Sequence, residues 1–220
     1  MLPLSQQFEP DLDRSGLLVV DMQHDDAHRD FALGEYLSEH DPEAYDYFFG
    51  RVEDSVIPGI VKLLADFRQA GVPVVHVTNG HTVAGLHDYL PHRRERARIL
   101  NFVPHVDTKD YEILPECQPM KDEVVFLKRS TSAFNSTGID AVLRNMDIRY
   151  LFVVGVSTDA CVGLTARDAS DLGYGTTLVS DCTATFSDDH QNAFERIFQT
   201  YHGPTWSSAQ LGTLIDASRV

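Results

Sequence analysis

The sequence contains few cysteines, and those present do not suggest a disulfide framework. Cys117, Cys161 and Cys182 are odd in number and irregularly spaced, whereas disulfide-stabilised domains carry an even, patterned set. The chain therefore depends on a hydrophobic core for its stability. Each cysteine is then either a core residue, which is the commoner case, or a reactive thiol.

Basic residues are also scarce, which argues against two classes of partner. The chain has 18 lysine and arginine residues against 33 aspartate and glutamate residues, a formal net charge of −15. A charge of this sign repels nucleic acids and anionic membrane surfaces. The one basic run, residues 93–98, is interpreted as the solvated face of a helix or loop.

Long apolar runs are missing as well. The sequence has no stretch of about 18 apolar residues, the length that a membrane-spanning helix needs. The first ten residues have neither the basic segment nor the apolar core of a secretory signal peptide. These absences predict a protein without a membrane span, and we expect a cytoplasmic location.

The residues that are present predict one α/β domain over residues 1–220. Hydrophobic residues make up 43% of the chain and charged residues 23%, which are ordinary values for a globular protein. Short apolar runs alternate with helical periodicity, which predicts a mostly parallel, Rossmann-like sheet in a three-layer α/β/α arrangement. The predicted core covers about residues 15–200, and 201–220 form a tail. We expect strands at 17–20, 72–77, 124–127, 150–154 (ended by Gly155) and 176–179. We expect one helix that ends at Gly71 and further helices at 138–146, 161–172 and 189–201.

Three segments carry more specific expectations. Residues 27–50 are rich in aromatic side chains but show no clean periodicity, which is typical of a pocket wall, a subunit contact or a loop over the core. Residues 79–122 form a polar, histidine-rich excursion. In the helix at 189–201, the pattern places Ala193, Phe194, Ile197 and Phe198 on the inward face.

Three predicted strands lead to residues that together can carry out nucleophilic chemistry. Asp21 and Lys128 each follow a strand directly, and Cys161 lies one loop beyond a third strand, at the start of a helix. Parallel strands end at one edge of a sheet, so these side chains are expected to meet there. The helix start and Lys128 would favour a thiolate, and Asp21 would exchange its proton. Taken singly, the three would be interpreted as a turn residue, a surface lysine and a core cysteine.

Three motifs resemble those of the isochorismatase-like cysteine hydrolases, over nearly all of residues 15–200. They are Leu18-Val-Val-Asp-Met-Gln23, Lys128-Arg-Ser-Thr-Ser-Ala-Phe134 and Gly155-Val-Ser-Thr-Asp-Ala-Cys-Val-Gly-Leu-Thr-Ala-Arg-Asp-Ala169. The resemblance implies an Asp21–Lys128–Cys161 triad. It also implies a cis peptide before Ser157, which directs the amides of Ser157 and Cys161 at a developing oxyanion. A homodimer or homotetramer is implied as well, with 27–50 and 201–220 as candidate contacts.

The residues predicted to bind substrate are mostly polar. They are Gln23, Asn79, His81, Phe134, Asn135 and Gln191. Such a set supplies hydrogen-bond donors and acceptors for a linear chain of carbamoyl groups, although Asn135 and Gln191 also suit positions at the start of a helix. The chain departs from the family where His24-Asp-Asp26 replaces the usual Asn-Asp-Phe after Gln23.

A second departure concerns metal binding. The nicotinamidases of the family carry an Asp-x-His…His cluster after the second strand, but Thr78 and Asn79 stand here in place of the leading aspartate. His81, His87 and Asp88 remain, and their number and spacing do not favour a metal site. We therefore expect no metal and no cofactor.

The expected activity is hydrolysis of a carbon–nitrogen bond, other than a peptide bond, in a small carbamoyl or ureido compound such as biuret or triuret. Residues 128–145 look most like the biuret hydrolases of the family, and the reaction would pass through a thioester or thiocarbamate on Cys161. Alternatives are another carboxamide, such as nicotinamide or N-carbamoylsarcosine, and then an isochorismatase reaction, which has no need of a thiol. A non-catalytic scaffold homologue is the remaining alternative, and the intact triad argues against it.

Overall fold

A computed structural model of the chain describes residues 4, 8–101 and 105–217. Its strands are β1 (Ser15–Val20), β2 (Val74–Asn79), β3 (Val124–Lys128), β4 (Tyr150–Val156), β5 (Gly175–Ala184) and β6 (Thr205–Trp206). Its helices are α1 (His24–Ala27), α2 (Ala32–His40), α3 (Pro42–Arg51), α4 (Ile57–Ala70), α5 (Pro91–Ile99), α6 (Ile139–Asn145), α7 (Cys161–Asp171), α8 (Asp188–Tyr201) and α9 (Ser208–Ala217). A π-helical segment, Val52–Val56, joins α3 to α4.

The six strands form one parallel sheet in the order β3-β2-β1-β4-β5-β6. On one side of β1 the sheet continues with β2 and then β3. β4 pairs with the other side of β1, and β5 and β6 follow on that side. The point of reversal therefore lies between β1 and β4, where open α/β sheets bind their ligands beyond the carboxyl ends of the strands. The predicted α/β class, with a parallel sheet in a single domain, is confirmed.

Helices cover both faces of the sheet. Alternate residues of β1 point to opposite faces, so Leu17 contributes to one core and Leu18 to the other. The first core includes the apolar face of α4 and the second that of α7. Because β1 is buried on both faces, its sequence is a continuous apolar run rather than an alternating one.

Residues 27–50 are largely helical, so the prediction of an irregular segment is wrong. α2 and α3 lie there, and the side chain of Asp41 accepts a hydrogen bond from the Ala44 amide at 3.1 Å to begin α3. Pro42 follows in the first turn, where its fixed backbone angle and missing N–H are tolerated. The aromatic Phe48 is fully buried, so part of the segment completes the core.

The residues predicted as a C-terminal tail extend the sheet instead. β6 pairs in parallel with β5, and α9 packs against α4 with Leu211 and Ile215 buried. The domain therefore continues to residue 217 rather than ending near 200, and 218–220 lie outside the described residues. The proposed role of both segments in a homodimer or homotetramer stays a prediction.

The inward face of α8 is only partly as predicted. Phe194 and Phe198 are buried, but Ala193 and Ile197 face outward. The third buried position is Gln191, one turn before Phe194. A buried glutamine is invisible to a search for apolar periodicity, because its burial depends on hydrogen-bond partners elsewhere in the fold.

The cysteines and the lengths of the helices are the two features that the sequence analysis described through absences. The three cysteines are free and buried, with no disulfide between them. Among the helices that the structure describes, none is long and apolar enough to cross a membrane.

Gly155 does not end β4, as predicted, but lets the strand bend. Its φ is 115°, and the register with β5 shifts between Val153 and Gly155. A Cβ atom at this position would lie 1.9 Å from the carbonyl oxygen of Val20. Only glycine permits this approach, which brings the end of β4 beside Asp21.

We therefore expect Gly155→Ala to lower the free energy of unfolding by about 3 kcal/mol or more, because the methyl group clashes with the β1 backbone at a positive φ. Urea denaturation measures the effect. The matched control is Gly50→Ala in α3, where a Cβ meets nothing within 4 Å. A Gly155→Ala protein as stable as Gly50→Ala would refute this account of the strand contact.

Candidate active site

The end of β1 holds Asp21 in place through backbone and side-chain contacts to β2. Asp21 has a left-handed backbone, with φ of 52°, and its amide donates to the Val77 carbonyl at 2.9 Å. Two residues later, Gln23 Nε2 donates to the carbonyls of Asn79 at 3.1 Å and Tyr111 at 2.7 Å. Gln23 Oε1 accepts from the Asn79 amide at 2.6 Å. These contacts occupy Gln23 and favour a positioning role over the predicted contact with substrate.

Lys128 joins the two other members of the predicted triad. It ends β3, two strands away from β1, and its side chain extends past β2 to place Nζ 2.8 Å from Asp21 Oδ2. The same ammonium group donates to Cys161 Sγ at 3.3 Å. Asp21 and Lys128 are fully buried, and Cys161 is 7% exposed. Lys128 therefore contacts both of the other side chains that the sequence assigned to this sheet edge.

Cys161 begins α7, after a four-residue loop that follows β4. The Val156–Ser157 peptide is cis, as the family resemblance implies. The Ser157 carbonyl accepts hydrogen bonds from the amides of Ala160 and Val162, both at 3.1 Å. Within the described part of the chain, the amides of Ser157 and Cys161 have no acceptor of their own. Both N–H groups are therefore available to a substrate oxygen.

Gln191, which was predicted to bind substrate, secures this loop instead. Thr158 Oγ1 donates to Gln191 Oε1 at 2.7 Å. Gln191 Nε2 donates to Thr183 Oγ1 at 3.2 Å and to Glu195 Oε1 at 2.7 Å. Because these bonds use both ends of the amide, Gln191 connects the loop before Cys161 to β5 and α8.

A helix that the sequence analysis placed in solvent lies against the nucleophile. In α5, Arg93 is 7% exposed, and its NH1 lies 4.0 Å from Cys161 Sγ. Arg96 NH2 donates to Asp26 Oδ1 at 2.7 Å. The interpretation of the basic run as a solvated face is therefore wrong for Arg93, whereas the side chain of Arg96 is still 35% exposed and that of Arg98 is exposed. The residues of α5 that face the site are arginines, so this face has no apolar periodicity from which its burial could have been predicted.

The helix α1 places two further carboxyl groups beside the triad, at the position where the sequence departs from its family. Asn79 Nδ2 donates to Asp26 Oδ2 at 3.4 Å, and Tyr89 Oη donates to Asn79 Oδ1 at 2.9 Å. Asp25 is also buried, and its Oδ1 has no hydrogen-bond partner among the described residues. Of the predicted substrate-binding residues, Asn79 is thus the one that joins the network around the triad.

Burial dominates the titration of these groups. It raises the pKa of the Cys161 thiol and of the Asp21 carboxyl, and the charge of Lys128 opposes both shifts. The pKa of Asp25 is raised well above its ordinary value by burial and by the charge of Asp26. Burial acts in the same direction on Asp26, but Arg96 and other cations outweigh it and lower that pKa. The charge of Lys128 thus favours the thiolate, but burial outweighs it, so the net shift of the Cys161 pKa is upward.

The structure places Phe134 and Asn135 between β3 and α6, where both have contacts of their own. Phe134 is half-buried, and its ring centroid lies 6.0 Å from that of Tyr174. Asn135 is exposed, and its Nδ2 donates to Asp168 Oδ2 at 3.1 Å. Neither residue has a recorded contact with Asp21, Lys128 or Cys161, so their predicted role in substrate binding stays a prediction.

The histidine-rich segment after β2 does not bring metal ligands together. The ring of His81 packs against His105, with ring centroids 4.9 Å apart. Asp88 Oδ2 accepts hydrogen bonds from the Thr82 amide at 2.8 Å and from Arg129 Nε at 3.0 Å. In the described ranges, no group of three or more histidine, cysteine, aspartate or glutamate residues is arranged to hold a metal ion. The expectation of no metal stays a prediction.

Similar sequences identify the family of the chain. The profile of the isochorismatase domain matches residues 15–210. A ureidoacrylate amidohydrolase RutB from Variovorax paradoxus (strain S110) is 30% identical over 181 residues, which cover 77% of this chain and 68% of that protein. The protein of the same name from Cronobacter sakazakii (strain ATCC BAA-894) is 29% identical over 197 residues, which cover 82% and 78%.

Solved structures share the fold. A cysteine hydrolase from Pseudomonas syringae pv. phaseolicola 1448A superposes with a TM-score of 0.83 at 23% identity, over 99% of this chain and 100% of that one. N-carbamoylsarcosine amidase from Thermoplasma acidophilum superposes with a TM-score of 0.63 at 24% identity, over 89% and 96%. At these identities the superpositions establish the fold alone.

The raised pKa of Cys161 leads to a prediction about its ionisation. Burial disfavours the thiolate, so we expect the group to remain a thiol through neutral pH and to ionise only above about pH 8.5, the ordinary value for cysteine. The measurement is the difference in ultraviolet thiolate absorbance between wild-type and Cys161→Ser protein during a pH titration. Lys128→Met should move the transition to still higher pH, because the opposing positive charge is lost. A wild-type transition below pH 7 would contradict the assignment of a resting thiol.

Proposed function

The chain belongs to the isochorismatase family, and we propose that it is a cysteine-dependent amidohydrolase that cleaves a carbon–nitrogen bond of a small ureido compound. The observation that carries this proposal is the position of Lys128 Nζ, 2.8 Å from Asp21 Oδ2 and 3.3 Å from Cys161 Sγ. A thiol, a carboxylate and an ammonium group in this arrangement suit covalent acyl transfer. The names of the two RutB relatives support a ureido substrate.

The first step forms a carbon–sulfur bond. Cys161 Sγ attacks the carbamoyl carbon while its proton passes to Asp21, whose two oxygens accept no hydrogen bond of good geometry from the described residues. Because burial disfavours a free thiolate, we place proton transfer and sulfur attack in one step. The Lys128 side chain, 3.3 Å from Sγ, offsets the negative charge that develops on sulfur, and the amides of Ser157 and Cys161 bind the oxyanion.

The second step breaks the carbon–nitrogen bond. Asp21 returns the proton to the departing nitrogen, which leaves as ammonia or as an amine, and Cys161 is left as a thioester or thiocarbamate. Water then adds to the carbonyl carbon and gives a proton to Asp21. The carbon–sulfur bond breaks, the proton returns to sulfur, and the thiol is restored. A released carbamate decomposes to ammonia and carbon dioxide, so ammonia appears in either case.

Alternative functions fit the site less well. Hydrolysis of an enol ether, the isochorismatase reaction, breaks a carbon–oxygen bond and has no use for a nucleophilic thiol. A scaffold without activity would not require two fully buried charges beside the nucleophile, since burying charges is costly.

Biuret, triuret, N-carbamoyl amino acids and ureidoacrylate all contain the bond that the proposed reaction cleaves. Ammonia release from these compounds and from nicotinamide is therefore the test of the substrate class.

Replacing the nucleophile should abolish turnover. Cys161→Ala and Cys161→Ser are expected to lower kcat for ammonia release by at least about 10⁴-fold, because each removes the group that forms the covalent bond. Intact-protein mass spectrometry during wild-type turnover should show an adduct on Cys161. The control is Cys117→Ala, which removes a buried thiol remote from the triad. Substantial activity in a folded Cys161→Ala protein would exclude the covalent mechanism.

Removal of metal ions should have no effect. The proposed nucleophile is activated by Asp21 and Lys128, so dialysis against a chelator is expected to change kcat/KM by less than twofold. Added zinc or manganese should not raise it. A loss of activity on chelation that is restored by one of these metals would show that the reaction depends on a metal ion.

A further inference from the structure

Arg93 differs from Lys128 and Arg96 in forming no direct ion pair with a carboxylate among the described residues. Lys128 is paired with Asp21 at 2.8 Å, and Arg96 with Asp26 at 2.7 Å. Among the residues that the structure describes, no carboxylate forms an ion pair with Arg93. The guanidinium of Arg93 is therefore a surplus positive charge in the sense that no described carboxylate contacts it.

The guanidinium of Arg93 is also left with unused hydrogen-bonding capacity. The residue is 7% exposed, so water reaches it poorly, and its NH2 has no hydrogen-bond partner in the described structure. Its recorded contacts are weak ones, with NH1 4.0 Å from Cys161 Sγ and the guanidinium carbon 6.0 Å from the centre of the Tyr89 ring. Burying an N–H group of a charged side chain without an acceptor is unfavourable. A buried cation in this condition, directed at a nucleophile, indicates a ligand that supplies the acceptor.

The chemistry of a guanidinium restricts what that ligand is. Its planar array of N–H donors matches the two oxygens of a carboxylate and also supplies the opposite charge. The neighbouring Asp25 does not serve as this acceptor in the described structure, because its Oδ1 and Arg93 NH2 both lack a hydrogen-bond partner. Burial and the charge of Asp26 also raise the pKa of Asp25, which disfavours the charged form that would pair with a guanidinium. An anionic group on the substrate would neutralise the charge of Arg93 and would also accept a hydrogen bond from its unpaired NH2 group.

We propose that Arg93 binds a carboxylate of the substrate, so that the substrate is a ureido acid rather than a neutral compound such as biuret or triuret. The reacting carbon must approach Sγ to about 3–3.5 Å, and Arg93 NH1 lies 4.0 Å from the same sulfur. The carboxylate is therefore separated from the carbamoyl carbon by only a few bonds, as in an N-carbamoyl amino acid. The ureido part of this inference rests on the proposed function, whereas the carboxylate part rests on Arg93 itself.

The first experiment needs no substrate. Iodoacetate and iodoacetamide alkylate the same sulfur and differ mainly in that iodoacetate carries a carboxylate. We expect wild-type Cys161 to react faster with iodoacetate relative to iodoacetamide than a free thiol does. Arg93→Gln should lower this rate ratio by about 10-fold or more, and Arg93→Lys, which keeps the charge, should retain part of it. Arg98→Gln removes a charge from the exposed side of the same helix and should leave the ratio unchanged.

The alkylation outcomes separate the proposed role from a purely electrostatic effect on sulfur. If Arg93 only stabilises the thiolate, both reagents slow equally in Arg93→Gln and the ratio does not change, which overturns the proposal. No preference for iodoacetate in the wild-type protein overturns it as well. These readings do not require turnover, so they hold even if the ammonia-release assays fail and the proposed function is wrong.

The second experiment measures selection during turnover. N-carbamoylglycine and its amide, N-carbamoylglycinamide, have nearly the same shape but differ in charge. The ratio of kcat/KM for the acid to that for the amide should fall about 100-fold in Arg93→Gln, as for the loss of one partner of a buried charge pair. Arg98→Gln should keep the wild-type ratio, and thermal denaturation checks that each variant is folded. An unchanged ratio in Arg93→Gln would show that the guanidinium does not recognise the carboxylate.

Discussion

The contact between Lys128 and Asp21 constrains the site more than any other. Both groups are fully buried, and removing two charges from water costs several kcal/mol per ion before any interaction between them is counted. That cost is offset only while the ends of β1 and β3 keep their positions on either side of β2. The Gln23 hydrogen bonds to Asn79 fix β1 against β2, and the close approach of Gly155 fixes β4 against β1. The sheet thereby holds the nucleophile at a distance that a mobile loop could not maintain.

The same burial determines how the chemistry proceeds. A site that water enters freely would leave Cys161 and Asp21 near their ordinary pKa values, whereas this one raises both. In the proposed mechanism, negative charge therefore develops on sulfur as the bond to carbon forms. The helix α5 lies against the site, and its recorded contacts there are made by the side chains of Arg93 and Arg96.

The parts of the fold that depend on local chemistry were predictable from the sequence. Apolar runs ending at Asp21 and Lys128 identified the strand ends, and Gly71 and Gly173 both take the left-handed conformation expected after a helix. α3 was missed although its start, Asp41 followed by proline, is a known signal, because aromatic residues concealed the periodicity. The burial of Arg93 could not be predicted, since only the folded path of residues 80–99 brings it to Cys161. Gln191 was assigned to substrate for the same reason, as its partner Thr158 is distant in sequence.

The position of α5 has a consequence for how such an enzyme changes. The groups proposed to make and break bonds lie on three strand ends spread from residue 21 to residue 161, and each depends on the packing of the whole sheet. The group proposed to select the substrate lies on one contiguous helix, Pro91–Ile99, outside that packing. Selection and reactivity are thus encoded in separate parts of the gene. If Arg93 selects the substrate as proposed, a replacement at this one position of α5 would change the charge of the preferred substrate, while the three strand ends that hold the triad stay as they are.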